Sequence, residues 1–389
     1  MPSDWDRQKV LELANGFRAA CLLAAGADLD VWSLLGPDRL TAAEVARRLR
    51  ADLRATTMFL DALAALDLLK KEDNRYRVPD SLRPLLIRAD TPEQKCSEDR
   101  FLSAPLSVAM VPPGGQVHPV SGTEAERPIL PTQPAGEQPI VSGSGPEPPI
   151  LPMLQHLANV LRAWSQLAWV VRAGIPAPRQ ASIRGFEADR AAFLEGMHAL
   201  SAPIADQLVA ELGPPKFRHL LDVGGATGTW TLAFLRAVPE AQATIFDLPD
   251  ARPLVEARLA GSPLRDRIRF VGGDFYRDAL PSGADFAWLS AIAHQNSRQQ
   301  NRELFAKVWV ALEPGGRIGI RDVVMQPCRT RPLQGALFAV NMLVNTEGGG
   351  TYTFQEFAED LQSAGFCNPQ WVIQREDMNS VLLAEKPRS

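Results

Sequence analysis

The sequence has no strong excess of charge of either sign, few cysteines and no long apolar run. Its 389 residues carry 41 basic and 45 acidic side chains, a formal net charge of −4. A chain this close to neutrality has no overall field to attract a polyanion, so we do not expect nucleic acid as its main partner. With 46% hydrophobic and 22% charged residues, the composition is that of an ordinary soluble chain of about two to three domains.

The four cysteines lie far apart, and no two have the CxxC spacing, so we predict neither a disulfide framework nor a cysteine-based zinc site. They are Cys21, Cys96, Cys328 and Cys367. No cluster of His, Asp and Glu has metal-ligand spacing, so no metal is expected. The first residues lack a signal peptide's basic segment and apolar core, and no run approaches the roughly 18 apolar residues of a membrane span. We therefore expect a cytoplasmic protein without membrane association.

The first block of the chain, residues 1–100, has the pattern of a small helical domain. Thr41 and Glu44 form a capping box that predicts the start of a helix ending near Leu49. A second helix is predicted over Thr57–Leu69, and Lys70–Val78 alternates as a polar hairpin does. Helices followed by a two-stranded hairpin are typical of a winged-helix domain.

The second block, residues 101–152, differs in composition from the rest. About 17 of the roughly 41 residues from Pro112 to Pro152 are proline or glycine, and no helical or alternating period is present. We predict an irregular insertion here. The sequence leaves open whether it is disordered, forms a lid or binds a partner.

Helical patterning returns over residues 153–212, which we interpret as bridging helices. The last of these is predicted over Phe193–Leu212, with an apolar stripe formed by Phe193, Met197, Leu200, Ile204 and Leu208. From residue 213 to 389, short apolar runs alternate with helical segments. Because a strand, a helix and a further strand in succession form a parallel unit, this block is predicted to be an α/β domain with a doubly wound sheet.

Three features at the ends of successive predicted strands indicate a nucleoside-binding site. The run Leu220–Val223 leads into Gly224, Gly225 and Gly228, whose spacing differs from that of GxGxxG. Such turns let a ligand approach the backbone. The second strand ends in Asp247, which can accept both ribose hydroxyls. The third is followed by Asp274 and Phe275, which can bind the amine and cover the face of a purine.

With these motifs, the chain resembles the class I S-adenosylmethionine-dependent small-molecule O-methyltransferases of the caffeate and polyketide-tailoring type. The family's Asp-Val-Gly-Gly-Gly-Thr-Gly corresponds to Asp222–Gly228, with Ala226 in place of the third glycine. Its Asp-Leu-Pro, Gly-Asp-Phe-Phe and Leu-Glu-Pro-Gly-Gly-Arg correspond to 247–249, 273–276 and 312–317. The resemblance implies a Rossmann-like catalytic domain joined to an N-terminal all-helical winged-helix dimerisation domain, hence a homodimer.

The resemblance also implies which residues bind the cofactor, S-adenosylmethionine, and its product S-adenosylhomocysteine. The expected contacts are Gly224 to the methionine part, Asp247 and Leu248 to the ribose, Asp274 and Phe275 to the adenine, and Ser290 from the fourth strand, where the family often has a lysine or arginine.

For catalysis, the resemblance implies His294 as general base and Asp322 as the acidic residue that orients it. The methyl group of the cofactor is already activated, so the enzyme has only to align an acceptor oxygen and remove its proton. Imidazole titrates near neutral pH and suits that task. Met197 and Met342 lie where the family approaches the acceptor, and ordinary core packing is the other interpretation of both.

Two departures from the family pattern leave the methylated atom open. The family's His-Asp-Trp is His294-Gln295-Asn296 here, and Thr351 aligns with a second family glutamate. The alternative within the family is therefore a member that binds the same cofactor but catalyses a different reaction, such as N- or C-methylation, decarboxylation or hydroxylation.

A winged-helix transcription regulator is an alternative from another class. Arginines cluster ahead of the predicted second helix, at positions 47, 48, 50 and 54. A recognition helix presents polar and basic residues to DNA, whereas Thr57–Leu69 carries Asp61, Asp67 and a broad apolar face. This composition favours pairing with another subunit.

Overall fold

The computed structural model of the chain describes residues 5–36, 38–87, 148–213 and 216–388. Most of the predicted Pro/Gly-rich insertion lies outside the described residues. The domain boundaries at residues 100, 152 and 212 stay predictions.

The N-terminal part, as described, is helical apart from a small antiparallel sheet of order β1-β3-β2. Its helices are α1 (Arg7–Asn15), α2 (Phe17–Asp28), α3 (Val31–Leu35), α4 (Ala42–Leu49), α5 (Leu53–Ala65) and α6 (Arg83–Leu86), and its strands are β1 (Leu40–Thr41), β2 (Lys70–Glu72) and β3 (Arg75–Arg77). The predicted hairpin is therefore present, and its turn residues Asp73 and Asn74 both have positive φ, as a tight two-residue hairpin requires.

Local capping fixes where two of these helices begin. The capping box of Thr41 and Glu44 is present at the start of α4. Helix α5 begins at Leu53, four residues before the predicted start, because the side chain of Asp52 accepts a hydrogen bond from the amide of Ala55 at 2.8 Å.

Helix α5 lies inside the N-terminal core, with eight of its thirteen residues buried. That core also contains residues from three elements beyond residue 150, α7 (Leu151–Trp164), α8 (Leu167–Ala173) and α13 (Leu333–Asn345). With most of its surface, including the side chain of Asp61, buried in this way, the helix offers little surface to a DNA groove, which argues against the regulator alternative.

The bridging segment continues into α9 (Gly185–Leu212), which begins eight residues before the apolar stripe predicted from Phe193. The stripe is partly wrong, since Leu208 is buried whereas Phe193 and Leu200 are 42% and 38% exposed. Phe193 nevertheless contacts α7, where its ring centroid lies 5.1 Å from that of His156. A Cβ on Gly196 would lie 3.1 Å from the Cα of Met153, so α7 and α9 approach each other closely at this glycine.

The predicted α/β part contains a seven-stranded sheet of order β11-β12-β8-β7-β4-β5-β6. Strands β4 to β8 run parallel, and β12 and β11 are antiparallel additions. The strands are β4 (His219–Val223), β5 (Gln242–Asp247), β6 (Ile268–Gly272), β7 (Ala284–Ser290), β8 (Leu312–Asp322), β11 (Cys367–Ile373) and β12 (Ser380–Glu385). A separate parallel pair consists of β9 (Val324–Met325) and β10 (Tyr352–Thr353).

Helices cover both faces of this sheet, as the doubly wound prediction requires. One apolar cluster joins the sheet to α9, α10 (Thr229–Ala237) and α11 (Arg252–Leu259); the other joins it to α12 (Arg298–Ala311) and α14 (Phe354–Ser363). The chain turns to opposite faces between β4 and β7, and ligands of such sheets bind beyond the carboxyl ends of the strands at this point.

One described stretch, Arg7–Asp28, is long and apolar enough to cross a membrane by length and composition alone. Only 17% of its most apolar window is buried within the chain, and it lies near the N-terminus. Its Leu22 and Ala25 belong to the N-terminal core, so the helix packs as part of a globular domain.

Candidate active site

The turn after β4 has a backbone that requires glycine at its first position. Gly224 has a φ of +68°, a conformation that residues with a side chain rarely adopt. A Cβ on Gly224 would also lie 2.4 Å from Cδ1 of Ile292. The positive φ and the close approach of Ile292 therefore both require glycine at the carboxyl end of β4, the edge at which ligands of such sheets bind.

Ala226 adopts a left-handed conformation in the same turn, with a φ of +44°. For a residue with a Cβ this conformation costs roughly 1–2 kcal/mol. The amide of Ala226 donates a hydrogen bond of 2.7 Å to Oδ2 of Asp247, which offsets part of the cost. The predicted ribose ligand therefore also shapes the glycine-rich turn.

Asp247, the last residue of β5, has one backbone amide on each carboxylate oxygen. Besides Ala226, the amide of Leu248 donates to Oδ1 at 2.7 Å. Each oxygen retains a lone pair that can accept from a hydroxyl group, so the orientation is fixed while the binding capacity remains. Burial raises the pKa of Asp247, and the two amides oppose this shift. Leu248 is half-exposed beside it.

Asp274 and Phe275 follow β6, the next strand along the sheet. Oδ1 of Asp274 accepts a hydrogen bond from the amide of Tyr276 at 2.9 Å. The ring of Phe275 lies next to the glycine-rich turn, since its Cε1 is 3.9 Å from the position of a Cβ on Gly224. The structure thus brings the predicted adenine and methionine positions to one edge.

These strand ends fit a nucleoside with an amino-acid tail, such as S-adenosylmethionine. The glycine-rich turn at Gly224, the carboxylate of Asp247 and the ring of Phe275 follow the three adjacent strands β4, β5 and β6. At the usual strand spacing, these three strand ends span about 10 Å. In the part of the chain that the structure describes, no three His, Cys, Asp or Glu side chains form a group that could hold a metal ion.

Ser290 lies at the end of β7, next to Gly224 at the end of β4, because the preceding residues Leu289 and Val223 are paired. Its hydroxyl accepts a hydrogen bond of 3.0 Å from Nη1 of Arg321 on β8. This arginine occupies a buried strand position, where the sequence alone gives no sign of a role in the site. Only the strand register, Ser290 opposite Arg321, reveals the pair.

His294 and Asp322 form a buried pair at the ends of β7 and β8. Nδ1 of His294 lies 2.9 Å and 3.0 Å from the two carboxylate oxygens of Asp322. The amide of His294 donates to Oδ2 at 3.1 Å and the amide of Val323 to Oδ1 at 2.8 Å. Because a carboxylate only accepts, Nδ1 carries a proton, and in the neutral form of the imidazole the lone pair is then on Nε2. Nε2 makes no hydrogen bond among the described residues.

An aromatic ring covers the imidazole. Phe338 on α13 lies edge-on to His294 with ring centroids 4.7 Å apart. Met342 is buried one helical turn later on the same face of α13. Asn341, between them in sequence, accepts a hydrogen bond from the indole of Trp164 at 2.9 Å. Phe338 therefore places an apolar ring against the imidazole of His294.

Met197 is half-buried on α9, next to a polar contact between helices. The following residue, His198, has Nδ1 2.8 Å from the hydroxyl of Thr229 in the first turn of α10. Burial and the nearby Arg258 lower the pKa of His198 to about 4, so its ring is neutral at pH 7. Among the described residues, neither Met197 nor Met342 has a hydrogen bond or a ring contact with His294, so their place at the acceptor stays a prediction.

A polar network that the sequence analysis missed connects the adenine and histidine segments. The hydroxyl of Tyr276 donates to Oδ1 of Asn296 at 2.5 Å, and Nδ2 of Asn296 donates to Asn301 at 3.0 Å. Asn301 donates in turn to the carbonyl of Ala293 at 3.0 Å. Tyr276 replaces the last phenylalanine of the family's Gly-Asp-Phe-Phe, and Asn296 replaces the tryptophan of its His-Asp-Trp. These two replacements are the only indication of the network in the sequence.

Thr351 is buried in the loop before β10 and places no carboxylate near the imidazole. Its carbonyl accepts a hydrogen bond of 2.6 Å from Arg329. The amide of the preceding Gly350 donates to the carbonyl of His294 at 2.8 Å. This loop therefore supports the backbone of His294, and Asp322 is the carboxylate bonded to its ring.

A buried carboxylate below the turn, Asp222, accepts a hydrogen bond of 2.6 Å from the hydroxyl of Thr231. Burial raises its pKa to about 7, an effect to which the neighbouring Asp247 adds. A Cβ on Gly225 would lie 2.8 Å from Cγ of Asp222, so this side chain supports the underside of the turn.

Comparison with known proteins identifies two matching family models. A model described as the O-methyltransferase domain matches residues 155–367, and one described as the O-methyltransferase dimerisation domain matches residues 11–81.

Two curated relatives from Streptomyces align along most of the chain. The tetracenomycin polyketide synthesis 8-O-methyl transferase TcmO of Streptomyces glaucescens is 27% identical over 363 residues, 92% of this chain and 91% of the relative. The 3-hydroxy-5-methyl-1-naphthoate 3-O-methyltransferase of Streptomyces sahachiroi is 28% identical over 355 residues, 91% of this chain and 88% of the relative.

Among solved structures, an O-methyltransferase family 2 protein of Planctomyces limnophilus in complex with apigenin has a similar fold. Its TM-score is 0.66 at 23% identity, with 98% of this chain and 97% of that chain covered.

Proposed function

Because this chain belongs to the O-methyltransferase family, we propose that it methylates a hydroxyl group of an aromatic or polyketide-like metabolite, with His294 as general base. The protein is an S-adenosylmethionine-dependent O-methyltransferase acting on small molecules. What we propose beyond this family activity is the class of the acceptor and the role of each residue in the site. The observation that carries them is the His294–Asp322 pair, in which a buried imidazole donates a hydrogen bond from Nδ1 to a buried carboxylate.

The acceptor class is supported by the relatives and by the site. Both Streptomyces relatives are named for O-methylation, one in tetracenomycin polyketide synthesis and one of a hydroxynaphthoate. Phe338 and Met342 offer apolar surface on the side of the imidazole, suited to a flat aromatic ring. Met197, from α9, is a second proposed contact of the acceptor.

In the proposed mechanism, Gly224, Asp247, Leu248, Asp274, Phe275 and Ser290 hold the cofactor at the carboxyl edge of the sheet. When bound, S-adenosylmethionine would supply an electrophilic methyl group on its sulfonium and, once the bond between methyl carbon and sulfur breaks, would leave as S-adenosylhomocysteine. Nε2 of His294 accepts the proton of the acceptor hydroxyl as the oxygen forms its bond to carbon, and Asp322 stabilises the resulting imidazolium. Alignment of the oxygen contributes much of the rate.

Labelled methyl transfer tests this proposal. The protein would be incubated with S-adenosylmethionine carrying a labelled methyl group and a panel of phenols, hydroxynaphthoates and hydroxylated polyketides, with products identified by mass. We expect His294→Ala to reduce turnover about 10²- to 10⁴-fold while calorimetric binding of S-adenosylhomocysteine is unchanged. His219→Ala, at the opposite end of β4, is the matched control. Unchanged turnover of His294→Ala would contradict the assignment.

A second candidate function is transfer of the methyl group to a nitrogen, or another altered chemistry that uses the same cofactor site. The residues that favour it are Gln295, Asn296 and Thr351. These neutral side chains stand where the family pattern has acidic or aromatic residues. Amine analogues of the best hydroxyl acceptors distinguish the two. Methylation of the amines alone would replace the first proposal.

The chain carries a dimerisation domain, and we propose a homodimer formed through it. Leu13 and Leu23 on α1 and α2 are 69% and 41% exposed in the isolated chain, an apolar surface that a second copy would cover. Light scattering after gel filtration tests this, with Leu13→Glu expected to give monomers. We further propose a cytoplasmic location, since Cys21, Cys328 and Cys367 are free thiols.

A further inference from the structure

Arg321 is a buried cation on β8, and only 5% of its surface is exposed. Its neighbours along the same face of the sheet include Trp288 and Val381. Burying a guanidinium is costly unless its charge is compensated. Among the described residues, no carboxylate lies within ion-pair distance of Arg321, and the nearest acidic influences are Asp322 and Asp377.

The contacts of Arg321 leave part of its donor capacity unused. Nη1 donates to Ser290, and Nε and Nη2 donate to Oδ1 of Asn379 at 3.0 Å and 2.7 Å. The guanidinium also lies 4.7 Å from the ring centre of Trp230 in the first turn of α10. These bonds use three of the five N–H groups of an arginine, so two remain.

The hydrogen bond from Arg321 also determines what Ser290 can do. A hydroxyl that accepts a bond from a cation is polarised and becomes a stronger donor of its own proton. Ser290 lies beside Gly224, so that proton is available at the end of the cofactor site that receives the methionine part. A strong donor backed by a positive charge favours an anion there and disfavours an ammonium group.

We propose that Ser290 and Arg321 together form a subsite for the carboxylate of the methionine part of the cofactor, with Arg321 supplying from β8 the positive charge that Ser290 lacks. This rests on the cofactor site described above. Arg321 acts as a positioning residue for Ser290 and contributes charge to the subsite. Trp230 and Asn379 hold its guanidinium in place.

Three ligands separate this proposal from a purely structural role. S-adenosylhomocysteine has the carboxylate and the ammonium group, decarboxylated S-adenosylhomocysteine has only the ammonium group, and 5′-methylthioadenosine has neither. We expect the wild type to bind the first about tenfold or more tightly than the second, the gain typical of a charged hydrogen bond. In Arg321→Met this preference should fall to within about twofold, while affinity for 5′-methylthioadenosine stays unchanged.

The control variant is Arg317→Met, which removes an arginine four residues earlier on the same strand and face. It should keep the full preference, and Arg321→Lys should recover part of it. If Arg321→Met does not fold, as judged by thermal melting without ligand, Ser290→Ala carries the test and should lower the preference severalfold.

Equal weakening of all three ligands in the Arg321 or Ser290 variants would overturn the subsite and leave Arg321 as a structural residue. Failure of the wild type to bind S-adenosylhomocysteine would instead refute the cofactor site itself.

Discussion

Replacing Asp322 by asparagine should change the protonation of His294 while keeping the shape of the site. The carboxylate accepts three hydrogen bonds, from Nδ1 of His294, from the amide of His294 and from the amide of Val323. An asparagine has one oxygen for these donors. Its amide nitrogen must face either a backbone N–H or the imidazole.

If the amide nitrogen faces Nδ1, the imidazole proton moves to Nε2, which then cannot accept the proton of the acceptor. We expect Asp322→Asn to lower kcat about 10²- to 10⁴-fold, equivalent to roughly 3–5 kcal/mol. If the nitrogen faces a backbone amide instead, an unpaired buried N–H costs about 1–3 kcal/mol of folding stability. Binding of S-adenosylhomocysteine should change little in either case.

The assay is steady-state methyl transfer at saturating cofactor, with unfolding by urea measured in parallel. Asp285→Asn is the matched control, because Asp285 also accepts two backbone amides, those of Arg218 and His219, but at the opposite end of the sheet. It should lose stability and keep turnover. Turnover of Asp322→Asn within about threefold of the wild type, with folding intact, would refute the role of the pair.

Four further outcomes can be checked. Asp247→Ala should abolish calorimetric binding of S-adenosylhomocysteine, and retained binding would contradict the ribose assignment. Ala226→Gly should raise the free energy of unfolding in urea by about 1 kcal/mol, because glycine adopts positive φ without strain; a loss of stability would contradict this. Tyr276→Phe should lower stability by about 1 kcal/mol and slow turnover through the lost bond to Asn296, whereas unchanged values would show that the network does not act on His294. Since the folded-state pKa of Asp222 is raised to about 7, its contribution to stability is lost as pH rises from about 4 to 7, and Asp222→Asn should remove a slope of at most about 1.4 kcal/mol per pH unit from urea unfolding.

The features predicted best from sequence are those written in consecutive residues. The glycine-rich turn, the capping box at Thr41 and the hairpin within Lys70–Val78 depend on local conformation, and the structure has them where the sequence places them. The doubly wound α/β fold follows from the alternation of strands and helices. The family match confirms that fold and the methyltransferase activity.

The features that could not be predicted depend on which strands are neighbours. Arg321 meets Ser290 only because β8 pairs with β7 in one particular register. The link between Tyr276 and Asn296 likewise joins segments 20 residues apart. In α9, the predicted apolar stripe includes large residues such as Phe193, which is 42% exposed. The close approach of α9 to Met153 on α7 is at Gly196, a residue outside that stripe.

Helix α13 belongs to two structures at once. Leu337, Val340 and Leu343 complete the core of the N-terminal domain, while Phe338 lies against the imidazole of His294. Removing the N-terminal domain would therefore expose the apolar back of a helix that borders the site, so a truncated catalytic domain should be both insoluble and inactive. This double role of α13 also restricts which substitutions it tolerates, because its residues hold the two domains together as well as bordering the site. We therefore expect changes in acceptor preference to arise more readily from substitutions in α9.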